Sequence, residues 1–166
     1  MSACSTVISR LTGGRSDKKN YKEKIDSGKH FHNVLCLSEA KGMDINMKVV
    51  GIIPARYGST RLPGKPLKDI LGHPMIWWVF QRVKSVNKLD EVYVATDDNR
   101  IKIVCEENDI PVVMTANTHR AAAHRLQEVS ETIKADFYLQ LNGDEPLINT
   151  EAIAAAIPDF VPQDVE

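Results

Sequence analysis

Residues 48–67 read KVVGIIPARYGSTRLPGKPL, and the fold turns on how that stretch divides. Its first part, Val49-Val50-Gly51-Ile52-Ile53, is a short apolar run rich in β-branched residues, the pattern of a strand buried on both faces. Its second part, Pro54 to Pro66, is polar and rich in Gly and Pro. It is therefore a loop, and it carries three cations, Arg56, Arg61 and Lys65. In α/β sheets, ligands bind beyond the carboxyl ends of the strands, which is where such a loop would lie.

Outward toward the C-terminus, strand and helix patterns alternate. Met75 to Val86 places Ile76, Val79, Phe80 and Val83 on one helical face, and His73-Pro74 suits its start, with Pro in the first turn. Glu91 to Thr96 reads as a second buried strand, and Asp98 or Asn99 can cap a helix from Arg100 to Asn108. Pro111 to Met114 is a third strand. Ala121 to Lys134 is a helix with Leu126, Val129 and Ile133 on one face. Phe137 to Leu141 is a fourth strand, running into Asn142-Gly143-Asp144-Glu145-Pro146. Thr150 can cap a last helix, Glu151 to Ile157, stopped by Pro158. This series predicts an α/β fold with a mostly parallel sheet, right-handed crossovers and helices on both faces. The loops at 54–66 and 142–146 would then leave the same sheet edge.

Outward toward the N-terminus the pattern fails. Residues 1–46 hold one short apolar stretch, Val34 to Leu37, and a charged run from Lys18 to Lys29, with no sustained period. They are expected to form a weakly ordered extension outside the fold, with room for one short helix or strand, and residues 47–166 form the folded part. A chain of 166 residues with 43% hydrophobic and 26% charged residues suits one globular domain. Lys+Arg 21 against Asp+Glu 22 leaves a net charge of -1, which excludes the strongly basic footprint of a general nucleic-acid binder but not a local cationic pocket. No apolar run approaches the roughly 18 residues of a membrane span, and no signal-peptide core opens the chain. Cys4, Cys36 and Cys105 have neither zinc nor disulfide spacing. The expectation is a soluble cytoplasmic protein with neither membrane nor nucleic acid as partner.

The chemistry of the first loop suits a phosphate chain. Gly58 and Gly64 let backbone N–H groups approach an anion, Arg forks phosphate oxygens, and Lys adds a mobile point charge. A solvated, charged surface loop has the same composition. The loop is not a Walker A motif, since Ser59 stands where its first Gly would be and Pro66 follows Lys65, and it contains no GxGxxG. In the second loop, Asp144 and Glu145 could present carboxylate oxygen to Mg²⁺, or could simply form a turn stopped by Pro146. Asp97-Asp98 is explained by helix capping, Trp77 and Trp78 by packing, and the five His show no zinc spacing.

At full length the first loop does more. PAR-x-x-STRLPGKPL over residues 54–67 resembles the signature of the cytidylyltransferases that activate acidic sugars, above all the 3-deoxy-manno-octulosonate cytidylyltransferases (CMP-Kdo synthetases). The resemblance continues through Ala95-Thr96-Asp97-Asp98 and through Gln140 to Pro146, which is similar to the family's QGDEP segment. It implies a Rossmann-like nucleotidyltransferase fold, CTP as donor, Mg²⁺ as cofactor, a small acidic sugar as acceptor for lipopolysaccharide or capsule synthesis, and commonly a homodimer. By the same resemblance Ala55, Arg56, Ser59, Arg61 and Lys65 bind the nucleotide, with Arg56 and Lys65 as the catalytic charges on the triphosphate and Asp144 as metal ligand.

His119, Arg125 and Glu128 match a family segment that lines the nucleotide pocket, which adds Arg125 to the nucleotide-binding set. Ala121, Ala122, Ala123 and His124 stand where that segment has Ser, Gly, Thr and an acid. Each lost neutral hydrogen bond to a ligand would cost about 0.5–1.5 kcal/mol, while the alanines favour a continuous helix. The departure leaves open a sister enzyme acting on another acid, a nonulosonic acid or a phosphonate. Family members continue well beyond Glu166, so the match is to their N-terminal part, as of a fold truncated at its C-terminus. A CTP-binding remnant without turnover is the remaining expectation.

Overall fold

A computed structural model describes residues 7–8, 35–38, 47–58, 62–119 and 121–158. In chain order the strands and helices are β1 (Val7–Ile8), β2 (Leu35–Ser38), β3 (Val49–Ala55), β4 (Asp69–Ile70), β5 (His73–Pro74), α1 (Met75–Lys84), β6 (Glu91–Thr96), α2 (Asn99–Glu107), β7 (Val112–Met114), α3 (Ala122–Thr132), β8 (Phe137–Gln140) and α4 (Thr150–Ala156). The main sheet has the order β1-β2-β8-β3-β6-β7, with β8, β3, β6 and β7 mutually parallel and β2 antiparallel to β8. The expected α/β architecture with a mostly parallel sheet is therefore what the chain adopts.

The β-branched run of β3 lies at the centre because both of its faces are covered. On one face Val49, Ile53 and Ala55 pack with Ile76, Val79, Phe80 and Val83 of α1, with Ile101 and Cys105 of α2, and with Ile153 of α4. On the other, Val50 and Ile52 pack with Leu126 and Val129 of α3 and with Tyr138. Each fully buried Val, Ile, Leu or Phe side chain among them contributes about 1.5–3 kcal/mol. The start of β3 is pinned by two carboxylates. Asp136 accepts from the Lys48 amide at 2.8 Å, and Asp90 accepts from the Val49 amide at 2.6 Å. Among the described residues no helix is long and apolar enough to cross a membrane.

Several expectations need correction. β3 runs on through Pro54 to Ala55, because Pro54 and Ala55 stay in register with Ala95 and Thr96 of β6. His73-Pro74 is not the first turn of α1. It is β5, paired with β4 through a tight turn at Leu71 (φ 52) and Gly72 (φ 87), and Pro74 is the N-cap of α1. Asn149, not Thr150, caps α4, its side chain accepting from the Ala152 amide at 3.0 Å. Part of the segment read as lying outside the fold joins the sheet: Leu35 to Ser38 pair with Gln140 to Phe137, satisfying the edge of β8 that would otherwise present unpaired N–H and C=O groups.

Candidate active site

The register of the sheet decides where the two loops meet. Ala55 at the end of β3 lies beside Thr96, and the first loop departs from there. Gln140 pairs with Ile52 and the Leu141 amide still bonds the Ile52 carbonyl at 2.9 Å, so the second loop leaves the neighbouring strand at nearly the same level. Gly143 makes the close passage possible. A Cβ added there would stand 2.8 Å from the Pro54 carbonyl oxygen, inside any tolerable contact, so the acidic loop can cross the end of β3 only with hydrogen at that position.

The two loops touch through charge. Lys65 Nζ donates to Asp144 Oδ2 at 2.7 Å across 79 residues of sequence. Lys65 opens a short 3-10 turn, Lys65–Leu67, that follows Gly64 in the left-handed region (φ 67). The Gly64 amide bonds back to the Tyr57 carbonyl at 2.8 Å, which closes the first loop on itself. Both charged side chains are accessible, at 31% for Lys65 and 49% for Asp144. A pair this exposed is worth about 0–1 kcal/mol, so an incoming phosphate or cation can exchange with either partner at little cost.

Arg56 is exposed at the mouth of the same loop. Ala55 is 2% exposed and its side chain packs in the core, so any contact it offers a ligand comes from its backbone. Ser59 and Arg61 lie outside the described residues. Glu145 is engaged locally, accepting from Asn142 Nδ2 at 3.0 Å, which leaves Asp144 as the outward carboxylate. Among the described residues no group of three or more His, Cys, Asp or Glu gathers into a metal cage. One accessible carboxylate beside a cationic loop nevertheless matches how Mg²⁺ is held with nucleotides, by one or two carboxylates, waters and the phosphates themselves. The donor set fits that ion.

Arg125, expected in the nucleotide-binding set, is held in the interior. It is 1% exposed, and its guanidinium donates to Thr115 Oγ1 at 2.6 Å and to Asp97 Oδ2 at 2.8 Å. It braces the end of β6 by bonding Asp97 and Thr115 at once. A buried ion pair of this kind is costly to break from one side, about 3–5 kcal/mol. Asp98 is the N-cap of α2, as capping predicted, accepting from the Arg100 amide at 3.0 Å.

Sequence reasoning missed the role of the other two matched residues. Glu128 Oε2 accepts from the Ala116 amide at 2.9 Å and meets His119 Nε2, tying residues 115–119 to α3. The Ala116 amide first, and His119 second, hold its carboxyl below the usual range. The available signal was their common match to the pocket segment, but nothing in it distinguished wall from ligand. At the start of α3, Ala121 is the N-cap and makes no side-chain capping bond.

A parallel sheet flanked by helices on both faces, with a cationic loop and an acidic loop joined at the carboxyl rim, defines a nucleotidyltransferase-like α/β domain. A family profile described as Cytidylyltransferase matches residues 50–164, most of the chain, and the chain belongs to that family. The 3-deoxy-manno-octulosonate cytidylyltransferase of Escherichia coli is 50% identical over 101 residues, 61% of this chain and 41% of that protein. The structure of CMP:2-keto-3-deoxy-manno-octonic acid synthetase complexed with CTP superposes with a TM-score of 0.64 at 46% identity, covering 65% of this chain and 45% of the other. A cytidylyltransferase from Leptospira borgpetersenii gives a TM-score of 0.59 at 27% identity, with 66% and 47% covered. The chain thus spans less than half the length of each of these three relatives.

Proposed function

We propose that this chain carries the nucleotide-binding half of a cytidylyltransferase that activates an acidic sugar of the 3-deoxy-manno-octulosonate type with CTP. The observation that carries this reading is the 2.7 Å contact between Lys65 and Asp144, which puts a mobile cation and an accessible carboxylate at one rim. In the reaction the anomeric hydroxyl oxygen of the sugar bonds to the α-phosphorus of CTP. The bond from that phosphorus to the β-phosphate bridge oxygen breaks, pyrophosphate leaves, and the hydroxyl proton passes to solvent. Negative charge builds on the departing pyrophosphate, and fixed cations aimed there each stabilise the transition state by about 2–4 kcal/mol. Arg56 and Lys65 are assigned that role, with Ser59 and Arg61 of the same loop as further contacts to the phosphates. Mg²⁺, held by Asp144, would neutralise phosphate oxygens and orient them. Arg125 acts at one remove, by bracing Asp97 and Thr115.

Catalysis on this account is positioning and electrostatics, with no general base assigned. The same proposal includes a homodimer and a cytoplasmic setting.

Calorimetric titration with CTP and Mg²⁺, followed by a pyrophosphate-release assay with the sugar acid, tests the reading. Saturable heat and product are expected, and no heat at millimolar CTP would refute even the binding claim. One observation favours a second acceptor. The start of α3 offers Ala121 and Ala123 in place of hydroxyl-bearing side chains, Ala122 in place of a glycine, and the exposed His124 in place of an acid. Release of pyrophosphate with a nonulosonic acid or phosphonate, and none with 3-deoxy-manno-octulosonate, would establish that alternative.

A further inference from the structure

The first loop closes on itself, but something must hold the closed ring against the body of the domain. Tyr57 is the residue at the crossing. Its carbonyl accepts from the Gly64 amide at 2.8 Å, and its ring lies so close to Gly64 that a Cβ there would sit 3.0 Å from Cε2. The guanidinium of Arg100, from the first turn of α2, stacks over the Tyr57 ring with Cζ 3.3 Å from the centroid. Arg100 is itself held in a fork by Asp98, Nε to Oδ1 at 2.9 Å and one terminal nitrogen to Oδ2 at 2.6 Å. Asp98 in turn is the N-cap of α2. A continuous chain of contacts therefore runs from the rigid start of a nine-residue helix, through Asp98, Arg100 and Tyr57, to Gly64 and its neighbour Lys65.

We propose that Arg100 is a positioning residue for the phosphate-binding loop, fixing its closed form by stacking on Tyr57 without itself touching the nucleotide. The inference rests on the reading of that loop as the triphosphate cradle. Its chemistry is specific to arginine. The flat guanidinium can fork a carboxylate and stack on an aromatic face at once, whereas the ammonium of lysine can do the first as a point charge and the second poorly. Arg100 lies far from both loops in sequence and belongs to neither motif. Its effect on nucleotide binding must pass through the contact of Tyr57 with Gly64, and that gives it a signature a direct phosphate ligand would lack.

Hydrogen exchange of the full chain followed by mass spectrometry or NMR, with calorimetric titration of CTP and Mg²⁺, tests this. Arg100→Ala is expected to speed exchange of the Gly64 amide by about two- to fivefold, the span of one exposed cation–π contact. It should weaken CTP binding by a similar factor, with exchange in β3 and α1 unchanged. Arg100→Lys should resemble Arg100→Ala, Tyr57→Phe should keep the loop protected, and adding Arg100→Ala to Tyr57→Ala should do nothing more. Unchanged Gly64 exchange in Arg100→Ala overturns the proposal. So does loss of CTP affinity with loop exchange intact, which would make Arg100 a direct anion ligand. If the unsubstituted protein gives no heat with CTP, the functional reading fails, while the exchange data still decide the clamp.

Discussion

Gly143→Ala is the smallest change that should separate the two halves of the site. The added Cβ would meet the Pro54 carbonyl oxygen at 2.8 Å and Ile53 Cγ2 at 3.3 Å. The first of these is backbone in the central strand, where Pro54 stays in register with Ala95 of β6, and it cannot yield cheaply. The second loop must therefore move outward, carrying Asp144 away from Lys65. Overpacking of a well-filled position costs about 1–3 kcal/mol, or a fall in melting temperature of roughly 3–12 °C for a domain of this size. Breaking the exposed Lys65–Asp144 pair adds at most about 1 kcal/mol. The larger effect is on function, because a displacement near 1 Å in a catalytic array can cost about 100-fold. Thermal unfolding by circular dichroism and titration of CTP with Mg²⁺ would measure both. A Gly143→Ala protein with unaltered melting temperature and unaltered metal-dependent CTP affinity would refute the close passage on which the juxtaposition rests.

Other outcomes follow from the same geometry. Lys65→Ala should lower pyrophosphate release by about 100-fold, as for loss of one charge-stabilising donor; a steady-state rate equal to the unsubstituted protein would remove Lys65 from the site. Ala121→Ser should supply the missing cap of α3 and raise stability by about 0.5–2 kcal/mol, read as a shift of the denaturant midpoint. The carboxyl of Glu128 is held below its ordinary 4.5 by the Ala116 amide and then by His119, so its contribution to stability is present above 4.5 and is lost as pH falls through the lower folded value. The melting-temperature gap between the unsubstituted protein and Glu128→Gln should therefore be full at neutral pH and should close in acid. A gap that widens in acid would contradict the assignment.

Strands buried on both faces were legible as continuous apolar runs, and the helix buried on one face as a 3.6-residue period. The β-branched runs of β3 and β6, and the apolar face of α1 at Ile76, Val79, Phe80 and Val83, are all found where the pattern puts them. The two loops could be read to one rim because parallel strands present their carboxyl ends together. What escaped were contacts between groups distant in sequence and short pieces stabilised by neighbours. Arg125 pairs with Asp97 across 28 residues, and no local pattern distinguishes a buried brace from a ligand. The hairpin at Asp69–Pro74 is too short for a period and rests on the left-handed turn at Leu71 and Gly72. The apolar stretch at Val34–Leu37 allowed a short helix or strand, but that Leu35–Ser38 fills the edge of β8 is a fact the four residues themselves do not carry.

Paramagnetic broadening by Mn²⁺ bound with CTP probes both loops in one spectrum. Substoichiometric Mn²⁺ with CTP should selectively broaden the amide signals of Gly64 and Lys65 together with those of Gly143 and Asp144, and Asp144→Asn should abolish the effect at both loops. Broadening confined to one loop, or centred on carboxylates elsewhere such as Asp69, would contradict a single shared grip on a metal-bound nucleoside triphosphate.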